Sequence, residues 1–393
     1  MNPMTLAIDT QSTYTASSTT RSSLWHAYTA VVAAVCVMVG VYWDISWHMS
    51  IGRDTFWTPA HLLIQSGGLI AGVSSGYVAL RTTLRGSEAE RESAVPFWGF
   101  RAPLGAWICI WGCLAMLTSA PFDNWWHNAY GLDVKIVSPP HTLLALGIFS
   151  IVLGALLLTM AQQNRARDAE RVRLALLVSV VGGLFIMNFA IFLTEYSERM
   201  MLHGGLFYEI AAVFFPFTLC AFSRAGQHRW SATIAAGTFM TVMLVLMWFI
   251  QLFPATPRLG PIYQHIGHMV TLSWPLWLIV PAVAIDWLRA RYDSRLPSLA
   301  LAALLGAVFL ITFIAVEWPF ATFLVENPAA RNWFFNAANY VYWAGSAYVA
   351  RSHHFSSAAS RQLGMHLAIA AGVAMISSAV GLAWGRWLTK VRR

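Results

Sequence analysis

Along this chain, long apolar runs alternate with short polar interruptions. The runs occupy about 25–43, 59–80, 101–119, 139–161, 174–194, 205–222, 230–252, 263–287, 298–316, 332–350 and 364–388. Most approach the roughly 20 residues that a helix needs to cross a bilayer. Lipid offers an open backbone no hydrogen-bond partner, so each run is predicted to be helical. The pattern predicts an all-α, polytopic integral membrane bundle of about eleven transmembrane helices in repeated hairpins. Residues 1–24 are polar and rich in Ser and Thr. They lack the basic start, short apolar core and small-residue cleavage site of a signal peptide, and read as a disordered tail before a retained span. Residues 25–161 read as one membrane domain with two related hairpins, and residues 162–393 as an additional helical membrane domain.

Composition supports a bilayer setting. The chain is 58% hydrophobic and 11% charged, where a soluble domain carries about 25% charged residues. Its net charge of +8 is carried almost wholly by arginine, with Lys135 and Lys390 the two lysines. On a soluble protein that excess would raise nucleic acid as a partner. Here the arginines lie in short loops between apolar runs, which points to topology and lipid phosphate, not nucleic acid.

One set of loops is rich in arginine: Arg81, Arg85 and Arg91; Arg165, Arg167, Arg171 and Arg173; Arg224 and Arg229; Arg289, Arg291 and Arg295; Arg351 and Arg361. The other set carries about one basic residue per loop: Arg53, Lys135, Arg199, Arg258 and Arg331. The positive-inside rule then predicts a multi-pass protein of the inner cell membrane with a cytoplasmic N-terminus. With eleven spans the C-terminal "TKVRR" would fall outside, against that rule. Either the last segment does not cross, or one span is miscounted.

Ionisable groups concentrate in two places, and the two are copies. "DISWHMSIGRDTFWTPAH" carries Asp44, His48 and His61; "DNWWHNAYGLDVKIVSPPH" carries Asp123, His127 and His141. Acid and first histidine stand one helical turn apart, on one face at the end of a span. Thr58 and Ser138 are predicted N-caps, with Pro59 and Pro139 opening the next helix. His61 and His141 then both fall at the third helical position. Each hairpin gathers one carboxylate and two imidazoles at the mouth of two neighbouring helices.

Two histidines and a carboxylate suit non-haem iron, copper or zinc. A lone Asp within a span costs about 2.5–3.5 kcal/mol, which a bound cation offsets. Three protein ligands leave coordination positions open, as a catalytic metal needs. The simpler alternative is a hydrogen-bonded Asp–His pair. Its recurrence together with the same capped-helix histidine favours metal at both places. Arg53 and Asp54 form an expected outer pair that orients His48 or His61.

The first motif resembles the C subunit of the copper membrane monooxygenases, the particulate methane and ammonia monooxygenases. That family's pattern is an Asp, three residues, a His, an Arg-Asp-Thr, and a Thr-Pro before a second His. Asp44, His48, Arg53-Asp54-Thr55, Thr58-Pro59 and His61 match it without a gap. The family's downstream site is an Asn, His and His at steps of four and fourteen. Asp123, His127 and His141 occupy those steps, with Asp in place of the Asn. The resemblance covers about 25–160 and implies copper at both sites. No soluble cupredoxin-like domain is visible, and the residues beyond have no counterpart in that subunit.

Function follows the resemblance. The expectation is a copper protein, an oxygenase or oxygenase subunit, with catalytic Asp44, His48 and His61 near the outer side of the membrane. Dioxygen and a small apolar or ammonia-like substrate would be its reactants, with electrons from a quinol or a partner. Expected partners are the lipid bilayer and other membrane subunits or further copies of the chain. The alternative is a non-enzymatic copper-binding or copper-delivery protein, or a transporter.

Several further groups read as structural. Cys109 and Cys113 share a helix face, where buried packing outweighs soft-metal binding. Glu195, Glu198, His203 and Glu209 cluster in "TEYSERMMLHGGLFYE", where an ion pair with Arg199 is expected. His265 and His268 are expected as an interfacial pair on one helix face, Glu317 stands alone near a span end, and His353 and His354 fall in a predicted cytoplasmic loop.

Overall fold

The computed structural model describes residues 21–52, 55, 57–131, 138–357 and 361–392. The chain is an all-α bundle. Its helices are α1 (Arg21–Ser50), α2 (Pro59–Arg85), the short α3 (Glu88–Glu92), α4 (Leu104–Tyr130), α5 (Pro139–Arg165), α6 (Asp168–Ala190) and α7 (Gly205–Ala225). They continue with α8 (Ser231–Ile250), α9 (Ile279–Tyr292), α10 (Ser298–Glu326), the short α11 (Ser346–Arg351) and α12 (Leu363–Leu388). One small hairpin, β1 (Val95–Phe97) with β2 (Phe100–Ala102), links α3 to α4. Among the described residues nine helices are long and apolar enough to cross a membrane: α1, α2, α4, α5, α6, α7, α8, α10 and α12. This is a multi-pass membrane protein.

Two of the eleven predicted spans are not spanning helices. In the run at 263–287, helix begins only at Ile279, and the chain before it is irregular. Pro275 removes a backbone donor there, and Pro254, Pro257 and Pro261 remove three more in the stretch leading into it. His265 and His268 therefore share no helix face; His268 instead bridges Pro254. The run at 332–350 is irregular except for α11. Its asparagines compete with helix for backbone groups. Asn332 Oδ1 accepts from the Phe335 N–H at 3.0 Å, and Asn336 Nδ2 donates to the Leu272 carbonyl at 3.0 Å.

An irregular segment at membrane depth survives only where protein satisfies its backbone. Ser46 donates to the Val270 carbonyl, and the Val270 N–H donates to Ser50 Oγ at 2.7 Å. The Met269 N–H reaches the Phe253 carbonyl at 2.9 Å, and the Trp277 N–H reaches Glu317 Oε2 at 3.0 Å. Glu317, buried near the end of α10, thus has the partner that its sequence context did not reveal.

This segment still crosses the bundle. The Arg258 N–H bonds the Ile51 carbonyl at one end, and Arg289 bonds Ser223 at the other. The C-terminal end of α12 meets the end of α5 through Asn164, which donates to the Leu388 and Val391 carbonyls. With ten crossings, the start of α1 and the end of α12 lie at the same end of the bundle. Residues 199, 352 and 356 share the opposite end, where Arg199 bonds Ser352 and the Ser356 N–H bonds the Met200 carbonyl. His353, His354 and Arg351 are therefore on the same side as Ser50, not with the arginine-rich loops. Removing the 332–350 span corrects the parity that eleven spans made awkward.

Small residues let the hairpin helices approach closely, as membrane packing favours. A Cβ on Gly105 would lie 2.6 Å from the Gly154 carbonyl, and one on Gly112 would lie 2.9 Å from that of Gly147. Cys109 and Cys113 are buried free thiols in this packing, against Gly154 and Gly72. One continuous apolar core runs from Ala27 to Val391, so both halves of the chain share it.

Candidate metal centre

The first cluster forms where α1 ends and α2 begins. Thr58 caps α2: its hydroxyl accepts from the His61 N–H at 3.3 Å, and Pro59 opens the helix. This sets His61 in the first turn, facing the last turns of α1. Asp44 Oδ1 then lies 3.2 Å from His61 Nε2, and Asp44 Oδ2 lies 3.7 Å from His48 Nε2. One ligand atom from each of the three residues lies within 4.8 Å of the others. Asp44 and His61 are half-buried and His48 is exposed.

The second cluster repeats the construction. Ser138 caps α5 and accepts from the His141 N–H at 3.4 Å, with Pro139 at the first position. Asp123 Oδ2 lies 3.2 Å from His127 Nε2, and Asp123 Oδ1 lies 3.5 Å from His141 Nε2. All three side chains are half-buried. Each carboxylate thus reaches both of its predicted imidazoles, but among the described residues only Asp44, His48 and His61 bring one ligand atom each within 4.8 Å of the others; Asp123, His127 and His141 are more open.

Hydrogen positions follow from the partners. His61 Nδ1 stands 3.1 Å from the Thr55 carbonyl, and His127 Nδ1 stands 3.3 Å from the Gly131 carbonyl. A carbonyl only accepts, so each Nδ1 carries the hydrogen. Each ring then turns its Nε2 towards a carboxylate oxygen. A backbone carbonyl holding the far ring nitrogen is how metal-binding imidazoles are commonly oriented. Asp44 Oδ1 and Asp123 Oδ1 are both buried atoms with no hydrogen-bond partner. A cation held between the carboxylate and the imidazoles would satisfy these oxygens. The residues present therefore fit a metal ion.

The Thr55 and Gly131 carbonyls were not foreseen. Gly131 has a signal in hindsight: it follows α4 directly with φ 88°, a conformation that favours glycine. That turn points its carbonyl back to His127. Arg53 and Asp54, expected to orient the first site, lie outside the described residues.

Elsewhere the predicted groups find other roles. Arg199 pairs with neither Glu195 nor Glu198; it donates to the Ala337 carbonyl and to Ser352, and its guanidinium lies 5.1 Å from the Tyr340 ring centre. Glu209 pairs with His366 of α12 at 2.8 Å. His203 is sandwiched between Trp318 and Phe355, with ring centres 3.8 and 3.5 Å away, and bonds the Trp318 carbonyl at 3.0 Å.

Compared with protein-family models, curated proteins and solved structures, the chain matches none.

Proposed function

We propose that this protein is a copper-binding membrane protein, an oxygenase or oxygenase subunit, with its reactive centre at Asp44, His48 and His61. The observation that carries the reading is the repeated pairing of a buried, unpartnered carboxylate oxygen with an imidazole Nε2. Asp44, His48 and His61 would hold one ion, and Asp123, His127 and His141 a second. Copper is chosen over iron and zinc on the resemblance of the first motif to the copper membrane monooxygenases.

Copper at such a site supplies redox chemistry with dioxygen. The chain's own part is to fix the geometry. Asp44 provides charge, the Thr55 carbonyl locks the His61 ring, and His48 stands on the more exposed side of the trio. A small apolar or ammonia-like substrate would reach that side from the bilayer surface, with reducing equivalents from a quinol or a partner subunit. The arginine-rich loops at the far end of the bundle support an inner-membrane orientation with both termini of the bundle cytoplasmic and both metal sites outside.

Metal analysis of the purified protein, with copper paramagnetic resonance, tests the reading. We expect His48→Ala with His61→Ala to lose one of two ions per chain; equal metal in both forms overturns the assignment. Exposed His48 also supports a second reading, a copper-delivery protein. Copper transfer to a chelating acceptor without dioxygen consumption would select it.

A further inference from the structure

On another face of α1 from Asp44 and His48, the bundle holds a half-open cavity of about 270 Å³. Tyr42, Ile45 and Met49 of α1 form one wall, and the chain near 194–199, 270–276 and 336–352 forms the rest. At about 30 Å³ per water, it admits a ligand of roughly ten non-hydrogen atoms.

The polar inventory of the lining decides the sign of the ligand. Most of its strong donors are already committed to protein acceptors. The Tyr42 hydroxyl donates to the Met187 carbonyl at 2.8 Å. Asn336 donates to Thr271 and Leu272, and Asn339 donates to Gln251 Oε1 at 2.7 Å. Arg199 spends its guanidinium on Ala337, Ser352 and the Tyr340 face. The two carboxylates are not so engaged: among the described residues, neither Glu195 nor Glu198 has an ion-pair partner within 4.0 Å. Glu198 accepts from the Tyr348 hydroxyl and lies near the Arg199 charge; both favour its ionised form against the effect of burial. Aromatic rings of Trp274 and Trp343 supply faces that attract positive charge. Trp274 Nε1 is buried without a hydrogen-bond partner, leaving one donor for a neutral acceptor on the ligand.

We propose that this cavity binds a small organic cation, a protonated amine, with its charge against Glu198 and Glu195 and its body among the rings. This site is separate from the metal centre and does not depend on it.

The test uses the full chain in phosphatidylcholine nanodiscs, titrated calorimetrically with 2-phenylethylamine, 2-phenylethanol and phenylacetate. These probes share a size and differ in charge. We expect saturable binding of the amine, at least about tenfold tighter than the alcohol, and none of phenylacetate. Glu198→Gln should weaken the amine about tenfold and leave the alcohol unchanged. Equal binding of all three probes by the wild type overturns the proposal, whatever the variant does. So does an unchanged amine affinity in a folded Glu198→Gln protein. His48→Ala with His61→Ala should keep the amine affinity; its loss there would place the amine at the metal centre and also overturn the proposal.

Discussion

Asp44 Oδ1 faces His61 Nε2 across 3.2 Å, with the far ring nitrogen held by the Thr55 carbonyl and no hydrogen bond between the two. Asp44→Asn keeps the side chain's size and removes its charge. The variant is expected to lose most of the thermal stabilisation that copper gives the wild type. A ligand at a hundred times its dissociation constant stabilises a protein by about 2.7 kcal/mol. Melting curves with and without copper read the difference, and an Asp44→Asn variant stabilised as strongly as wild type would refute the role of Asp44.

The caps position the second imidazoles. Thr58→Ala and Ser138→Ala each remove an acceptor for the N–H of the histidine itself. Each is expected to cost about 1 kcal/mol of stability and to weaken its own metal site. Titrating metal into each variant separately shows whether the loss stays local: Thr58→Ala should spare the second site, and Ser138→Ala the first.

Close packing of α4 on α5 depends on glycine. Gly112→Val would drive its side chain into the Gly147 carbonyl and Ser150. Overpacking of this kind costs about 1–3 kcal/mol. Separation of the two helices would also move Asp123 from His141, so reduced metal at the second site should accompany the lower melting temperature. Gly76→Ala, which meets nothing within 4 Å, is the matched control.

Amine binding should depend on pH in a definite direction. Burial raises the Glu198 carboxyl above its ordinary range, and the Tyr348 hydroxyl and Arg199 partly offset this. Tyr348 is itself pushed up by burial and stays neutral; His353, behind Tyr340, is held down by burial and by Arg331 and Arg199. Glu195 is the other carboxylate of the lining. A cation needs Glu198 ionised, so affinity is full above its raised range and falls as pH drops through it. Calorimetry across pH 4–8, with Glu198→Gln flat over the upper part, checks the sign.

Parity of the crossings is open to direct labelling. His354→Cys and Arg392→Cys place exposed thiols at opposite ends, against native cysteines that are buried or half-buried. A membrane-impermeant maleimide added to intact cells should label position 354 and spare 392. Labelling of both from one side would contradict the ten-crossing arrangement.

Helix-forming runs and the two Asp/His/His hairpins were legible in the sequence because their signals are local. A capped proline start, an acid and a histidine one turn apart, and an apolar run each need only neighbouring residues. The segment before Ile279 was not legible, since hydropathy reports burial and says nothing of which partner satisfies the backbone. Ser46 and Ser50 hold it from far along the chain. The cavity escaped for the same reason: its carboxylates are ordinary loop residues until 336–352 folds back over them. The expected Arg199 ion pair failed because carbonyls on that distant stretch took its donors.

The bonds from Ser46 and Ser50 to Val270 carry a consequence for biogenesis. The first helix emerges from the ribosome with the Ser46 hydroxyl unanswered and that of Ser50 bonded only to the Ser46 carbonyl, and Val270 is synthesised 220 residues after Ser50. The early hairpin should therefore sit in the membrane as a provisional assembly, and it should seat fully, with its histidines ready for cargo, only as translation nears its end.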